Sequence, residues 1–152
     1  MRHYARKRGA PVEEWGVTGL LHDFDYERHP TLPEHPLKGA EVLRARGYPE
    51  EMVVAILGHA GQAPRDSEMA RVLFGVDELC GFLTACAYVQ PSKKVADVKV
   101  SSVKKKFKDK AFARAVSREE IFKGAEELGV ALEEHIQEVI DALAADAERL
   151  GL

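Results

Sequence analysis

Apolar residues in this chain recur almost everywhere at spacings of three and four, and strict polar/apolar alternation is scarce, so the pattern predicts helices and no sheet. Residues Arg2 to Arg8 read as a short helix stopped at Gly9. Pro11 opens a second, expected to run to about Asp25, whose stripe is Val12, Trp15, Gly16, Gly19, Leu20, Asp23 and Phe24. Tyr26 to Glu34, with Pro30 and Pro33, is a loop. Pro36 suits the first turn of a third helix through Leu37, Ala40, Val42 and Leu43, ending at Gly47. Pro49-Glu50-Glu51 starts a fourth, carrying Met52, Val53, Ile56 and then His59 or Ala60. Asp66 or Ser67 caps a long fifth helix with Met69, Val72, Leu73, Val76, Cys80, Leu83 and Ala87, closed by Pro91. Val100, Val103, Phe107 and Ala111 mark a sixth. Ser117-Arg118-Glu119-Glu120 has capping-box spacing and opens a seventh. Leu132, Ile136, Val139, Ile140, Leu143, Ala147 and Leu150 lie on a last one. The expected fold is all-α, a bundle of about seven or eight helices, with no internal repeat or linker.

Length changes this picture little. The 152 residues, 45% of them hydrophobic, are expected to form one domain; a chain of this size buries roughly 68–70% of its unfolded surface. A net charge of -3 points neither to nucleic acid nor to a membrane surface. The start Met1-Arg2-His3-Tyr4 lacks a signal-peptide core, and no apolar run approaches the ~20 residues of a membrane span. Cys80 and Cys86 read as small buried hydrophobes in a reducing compartment. Together these features predict a cytoplasmic protein. The run Lys104-Lys105-Lys106-Phe107-Lys108-Asp109-Lys110 invites a nucleic-acid reading, but Val103, Phe107 and Ala111 interleave it as the solvated face of an amphipathic helix. Nucleic acid is therefore not an expected partner. His29 and His135 are read as surface residues.

Chemistry enters at Leu20-Leu21-His22-Asp23-Phe24-Asp25-Tyr26. On the predicted helix Asp23 falls inside the apolar stripe, where a carboxylate must be paired, hydrogen-bonded or bound to a cation. His35 precedes Pro36 at a helix N-cap position usually filled by Ser, Thr, Asp or Asn; alone it reads as a surface histidine in a Pro-rich loop. His59 ends the fourth helix on its apolar side and reads equally as a core histidine satisfied by a carbonyl. Asp77 stands on the long apolar face of the fifth helix, beside Leu73, Phe74 and Cys80. Two carboxylates and three histidines make a mixed nitrogen/oxygen donor set suited to Mn, Fe, Co, Ni, Zn or Mg, and not to a thiolate structural zinc site.

The ordered set His22-Asp23, His35, His59 and Val76-Asp77-Glu78-Leu79 resembles the HD superfamily of helical, metal-dependent phosphohydrolases. The resemblance covers roughly Pro11 to Ala87. The chain closely resembles small stand-alone HD proteins with segments like Gly19-Leu20-Leu21-His22-Asp23 and Val103-Lys104-Lys105-Lys106-Phe107. It implies a metal-site core over about 11–90 and a C-terminal helical part over about 98–150. It implies that His22, Asp23 and Asp77 ligate one divalent metal, and that His35 and His59 hold a second ion where there are two, bridged by Asp23. The implied activity is metal-assisted hydrolysis of a small phosphoester such as a nucleotide, the cation activating water and neutralising phosphoryl charge. Asp25 is then a candidate proton acceptor, or else a surface residue at a helix end. Two features depart from the family. Its first histidine ligand precedes the His-Asp pair, and here His3 lies too close to Gly9 to match, so the recorded start is late, the chain truncated or the site incomplete. The fuller signature His-Asp-x-Gly-Lys has Asp25 and Tyr26 in its last two places, leaving Lys38 or Arg28 to meet phosphate. The alternative is a non-catalytic HD domain that binds a metal, a nucleotide or a protein partner.

Overall fold

The computed structural model describes residues Met1–Leu152. It contains nine α-helices, one short 3-10 helix (Val95–Asp97) and no strand, so the all-α expectation holds. In chain order the helices are α1 (Arg2–Arg8), α2 (Val12–Leu21), α3 (Glu34–Ala45), α4 (Glu50–His59), α5 (Glu68–Tyr88), α6 (Val100–Phe107), α7 (Arg118–Leu128), α8 (Leu132–Ala145) and α9 (Ala147–Leu150). No helix is long and apolar enough to cross a membrane. The chain divides into two compact units, Met1–Phe74 and Gly75–Leu152, with the boundary inside α5.

In the first unit, α2 and α4 pack together and also against α1 and α3 respectively. Gly9 takes the left-handed conformation (φ 65°) that ends α1, as its lack of a Cβ allows. The Arg2 guanidinium reaches Glu13 at 3.0 Å across α1 and α2, and Arg8 pairs with Glu68. The core is Tyr4, Ala5, Trp15, Ala40, Leu43, Met52, Val53, Ala55, Ile56, Met69, Val72 and Leu73. Ser67 caps α5 by accepting from the Ala70 N–H (3.1 Å), one of the two residues expected there.

The second helix is shorter than its periodicity suggests. It stops at Leu21, and residues 22–28 form successive turns closed by Phe24 N–H to Leu21, Tyr26 N–H to Asp23 and Arg28 N–H to Asp25 carbonyls. The far end of the expected stripe is not buried, beginning with Leu20, which still lies inside α2. Trp15, Gly16 and Thr18 are buried, whereas Leu20 is 76% exposed and Phe24 43%. The third helix proper begins at Pro36, because His35 keeps extended φ/ψ (-82°, 134°), the conformation favoured before proline.

In the second unit, α8 is the central element, packed by α6, α7, α9 and the 3-10 turn. Phe82 on α5 is fully buried, stacked on Phe107 (ring centroids 4.7 Å) and met edge-on by Phe112 (5.4 Å). Arg118 lays its guanidinium over the same ring. That group also donates to the carbonyls of Phe112, Ala113 and Val116, fixing the connection before α7. α6 ends at Phe107, short of Ala111, because Asp109 Oδ1 accepts from the Ala111 (3.0 Å) and Phe112 (3.3 Å) amides and turns the chain away. The Ser117 hydroxyl accepts from Glu120 N–H at 3.2 Å, the capping expected for α7. At Gly124 a Cβ would lie 2.7 Å from the Gly75 Cα, so the close approach of α7 to α5 requires glycine. The expected last helix is interrupted at Asp146 (φ -115°), which separates α8 from α9.

His135 corrects the surface reading. It is fully buried, one turn before Val139 on the apolar side of α8, and its Nε2–H donates to the Gly75 carbonyl at 2.8 Å. Desolvation holds its pKa below 6.5, against the smaller upward pull of that hydrogen bond. A lowered folded pKa means the unfolded chain takes up a proton that the folded chain refuses. The stabilisation is complete above the unfolded value and is lost as pH falls through it. Stability should fall between pH 7 and 5, with His135 contributing a slope of up to about 1.4 kcal/mol per pH unit. Urea midpoints of wild type and His135→Leu across that window check this; parallel curves would remove His135 as the source. Cys80 and Cys86 carry free thiols that burial pushes up to about 11, well away from the range of a nucleophile.

Candidate metal centre

Three elements of the first unit supply the site. The turn after α2 presents His22 and Asp23, the residue before Pro36 presents His35, and the last turn of α4 presents His59. Asp23 Oδ1 lies 3.2 Å from His35 Nε2 and 3.4 Å from His59 Nε2. The two Nε2 atoms are 3.3 Å apart. Donor atoms of Asp23, His35 and His59 all fall within 4.8 Å of one another. His22 Nε2 stands 3.3 Å from the other oxygen of Asp23, and its ring meets that of His59 edge-on at 5.2 Å.

The tautomers follow from the opposite side of each ring. A carbonyl or carboxylate oxygen can only accept, so the nitrogen facing it carries the hydrogen. His22 Nδ1–H donates to the Gly19 carbonyl (2.9 Å), His59 Nδ1–H to the Ile56 carbonyl, and His35 Nδ1–H to Asp25 Oδ1 (2.8 Å). Each neutral imidazole then turns an Nε2 lone pair toward Asp23. Lone pairs and a carboxylate directed at one another repel unless a cation or a proton lies among them. The Asp23 carboxyl is held below its usual value. The hydrogen bond with His59 leads that shift, aided by charge on His22, His59 and His35 and opposed by desolvation. With a divalent ion the same donors form a nitrogen/oxygen set of the type that binds Mn, Fe, Co, Ni or Zn. The residues present fit such an ion.

Burial is graded across the cluster. His35 and His59 are buried, His22 is partly covered, and the Asp23 side chain is 50% exposed. The expectation that Asp23 lies within a buried stripe is thus corrected: α2 has ended, and the cluster opens to solvent on the Asp23 side. Asp25, by contrast, is buried and no surface residue. Asp77 belongs to the second unit, half-buried on α5. Arg28 and Lys38 are exposed, and Lys38 Nζ pairs with Glu41 at 3.0 Å. The sequence reading overlooked Gly39, whose amide donates to Asp25 Oδ2 at 2.8 Å. A glycine inside a helix, three residues past Pro36, was the available signal.

Neither the curated proteins nor the solved structures contain a match to the chain. Compared with known families, residues 1–146 match the HD domain. That match spans nearly the whole chain and includes the His-Asp pair at the centre of the cluster, so this protein belongs to the HD domain family.

Proposed function

We propose that the protein is a metal-dependent phosphohydrolase acting on a small phosphoester, such as a nucleotide, in the reducing environment of the cytoplasm. One observation carries this reading: His22, His35 and His59 have each hydrogen-bonded their Nδ1–H away, leaving Nε2 lone pairs gathered around the Asp23 carboxylate. A core histidine satisfied by a carbonyl needs no such convergence. His22, Asp23, His35 and His59 would hold one or two divalent ions; the family resemblance adds Asp77 to the ligands. The bound ion would supply electrophilic activation and charge neutralisation at phosphorus. The exposed face of Asp23 leaves room for substrate to approach. Arg28 and Lys38, exposed on the same unit, are the cations proposed to meet phosphate.

Tyr26, standing where the fuller family signature has lysine, favours a second reading, a metal-binding HD domain without catalysis. Assaying metal-stripped protein with and without Mn, Co or Ni on phosphomonoesters and nucleotides separates the two. Metal-dependent release of phosphate, lost in Asp23→Ala, is the expected result. Saturable metal binding with no hydrolysis of any substrate would favour the second reading. Asp77→Asn tests the ligand that the resemblance adds. As a ligand, Asp77 should lose metal affinity and activity on this change while the metal-free protein stays as stable. A buried ion-pair partner would instead cost roughly 3–5 kcal/mol with metal and without.

A further inference from the structure

Asp25 is the residue whose surroundings a proton-accepting role does not explain. It is 7% exposed, and both carboxylate oxygens already have donors: His35 Nδ1–H on Oδ1 and the Gly39 amide on Oδ2, each at 2.8 Å. The turn that holds it is closed by the Arg28 (3.0 Å) and His29 (2.8 Å) amides, which both bond its carbonyl. The seat is tight. A Cβ at position 39 would stand 2.8 Å from Asp25 Cγ, 2.9 Å from its Oδ2 and 3.0 Å from Phe24 Cε1. Any side chain there pushes the carboxylate off the amide. The approach of Asp25 to the early turns of α3, where helical amides point and the dipole favours negative charge, therefore depends on glycine.

We propose that Asp25, seated on Gly39, is a positioning residue that locks His35 in the Nδ1–H form and so presents its Nε2 lone pair to the cluster. The rival tautomer would leave the buried Asp25 carboxylate facing an Nδ1 lone pair at 2.8 Å. The Nδ1 partners of His22 and His59 are backbone carbonyls; that of His35 is a carboxylate, which strengthens the bond. The purpose of the lock rests on the metal-site reading above, whereas its existence does not.

The test uses the full chain, labelled with 15N at histidine, stripped of metal and observed by long-range 1H–15N NMR, alongside Mn2+ titration of the same samples. Wild-type His35 should show the Nδ1–H form. Asp25→Asn, which sets an amide against one of two fixed N–H donors, and Gly39→Ala, which displaces the carboxylate, should each move His35 toward the Nε2–H form. Both should weaken Mn2+ binding by about 10–100-fold, while His59, bonded to Ile56, keeps its tautomer. Wild-type His35 in the Nε2–H form would overturn the proposal, whether or not the variants fold. So would an unchanged His35 tautomer and unchanged affinity in folded variants. Wild type that binds no Mn2+ but holds the Nδ1–H lock would overturn the metal reading alone and leave the lock supported.

Discussion

Replacing His59 with alanine is expected to lower affinity for Mn2+, Co2+ or Ni2+ by at least about 100-fold, a loss at or above that seen when only an outer partner of a metal ligand is removed. Its Nε2 lies close to both Asp23 Oδ1 (3.4 Å) and His35 Nε2 (3.3 Å), and its ring is buried, so water cannot take its place without reopening the end of α4. Hydrolysis of phosphoester should fall with the metal. In melting experiments, wild type in a hundredfold excess of metal over its dissociation constant should gain about 2.7 kcal/mol over the chelated protein. The variant should gain almost none of this increment. Loss of a buried side chain will lower its stability under both conditions, so the informative quantity is the difference between them. A variant retaining the full metal increment would remove His59 from the ligand set.

The largest effect on stability should come from Phe82→Ala, at about 3–5 kcal/mol. Phe82 is fully buried, stacked on Phe107, edged by Phe112 and covered by the Arg118 guanidinium. Arg118 is held by carbonyls, so it cannot collapse into the space without breaking those bonds. Phe122→Ala is the control: Phe122 is 46% exposed, meets Phe107 only edge-on, and should lose far less. Urea unfolding of the two variants checks the order. Equal losses would mean that the ring cluster relaxes freely around the missing side chain.

The helices were legible because their signals are local. Spacing of apolar residues, Gly9 at the end of α1, Pro36 at the start of α3 and Ser117 before α7 each act within a turn or two of the chain. What periodicity could not show was where a helix stops for tertiary reasons. The stripe through Asp23 and Phe24 continues on paper past Leu21, but the backbone leaves it for turns in which Asp25 finds partners in His35 and Gly39 that no local rule specifies. His135 failed in the opposite direction. A titratable residue one turn before Val139 reads as exposed, yet the hydrogen bond to the Gly75 carbonyl helps to make its burial tolerable. The gathering of His22, Asp23, His35 and His59 was legible as a donor set from residue type and order. The direction in which each ring points was not, since it depends on the Gly19 and Ile56 carbonyls and on Asp25.

The central claim is that these converging lone pairs form a metal site, and equilibrium binding of Mn2+ to chelator-stripped protein, read as loss of the free-ion EPR signal, tests it most directly. Saturable binding with one or two ions per chain, abolished in Asp23→Ala and in His59→Ala, is the predicted result. A wild-type protein that leaves the free-ion signal unchanged at every ratio, or one whose binding survives both substitutions, would contradict it.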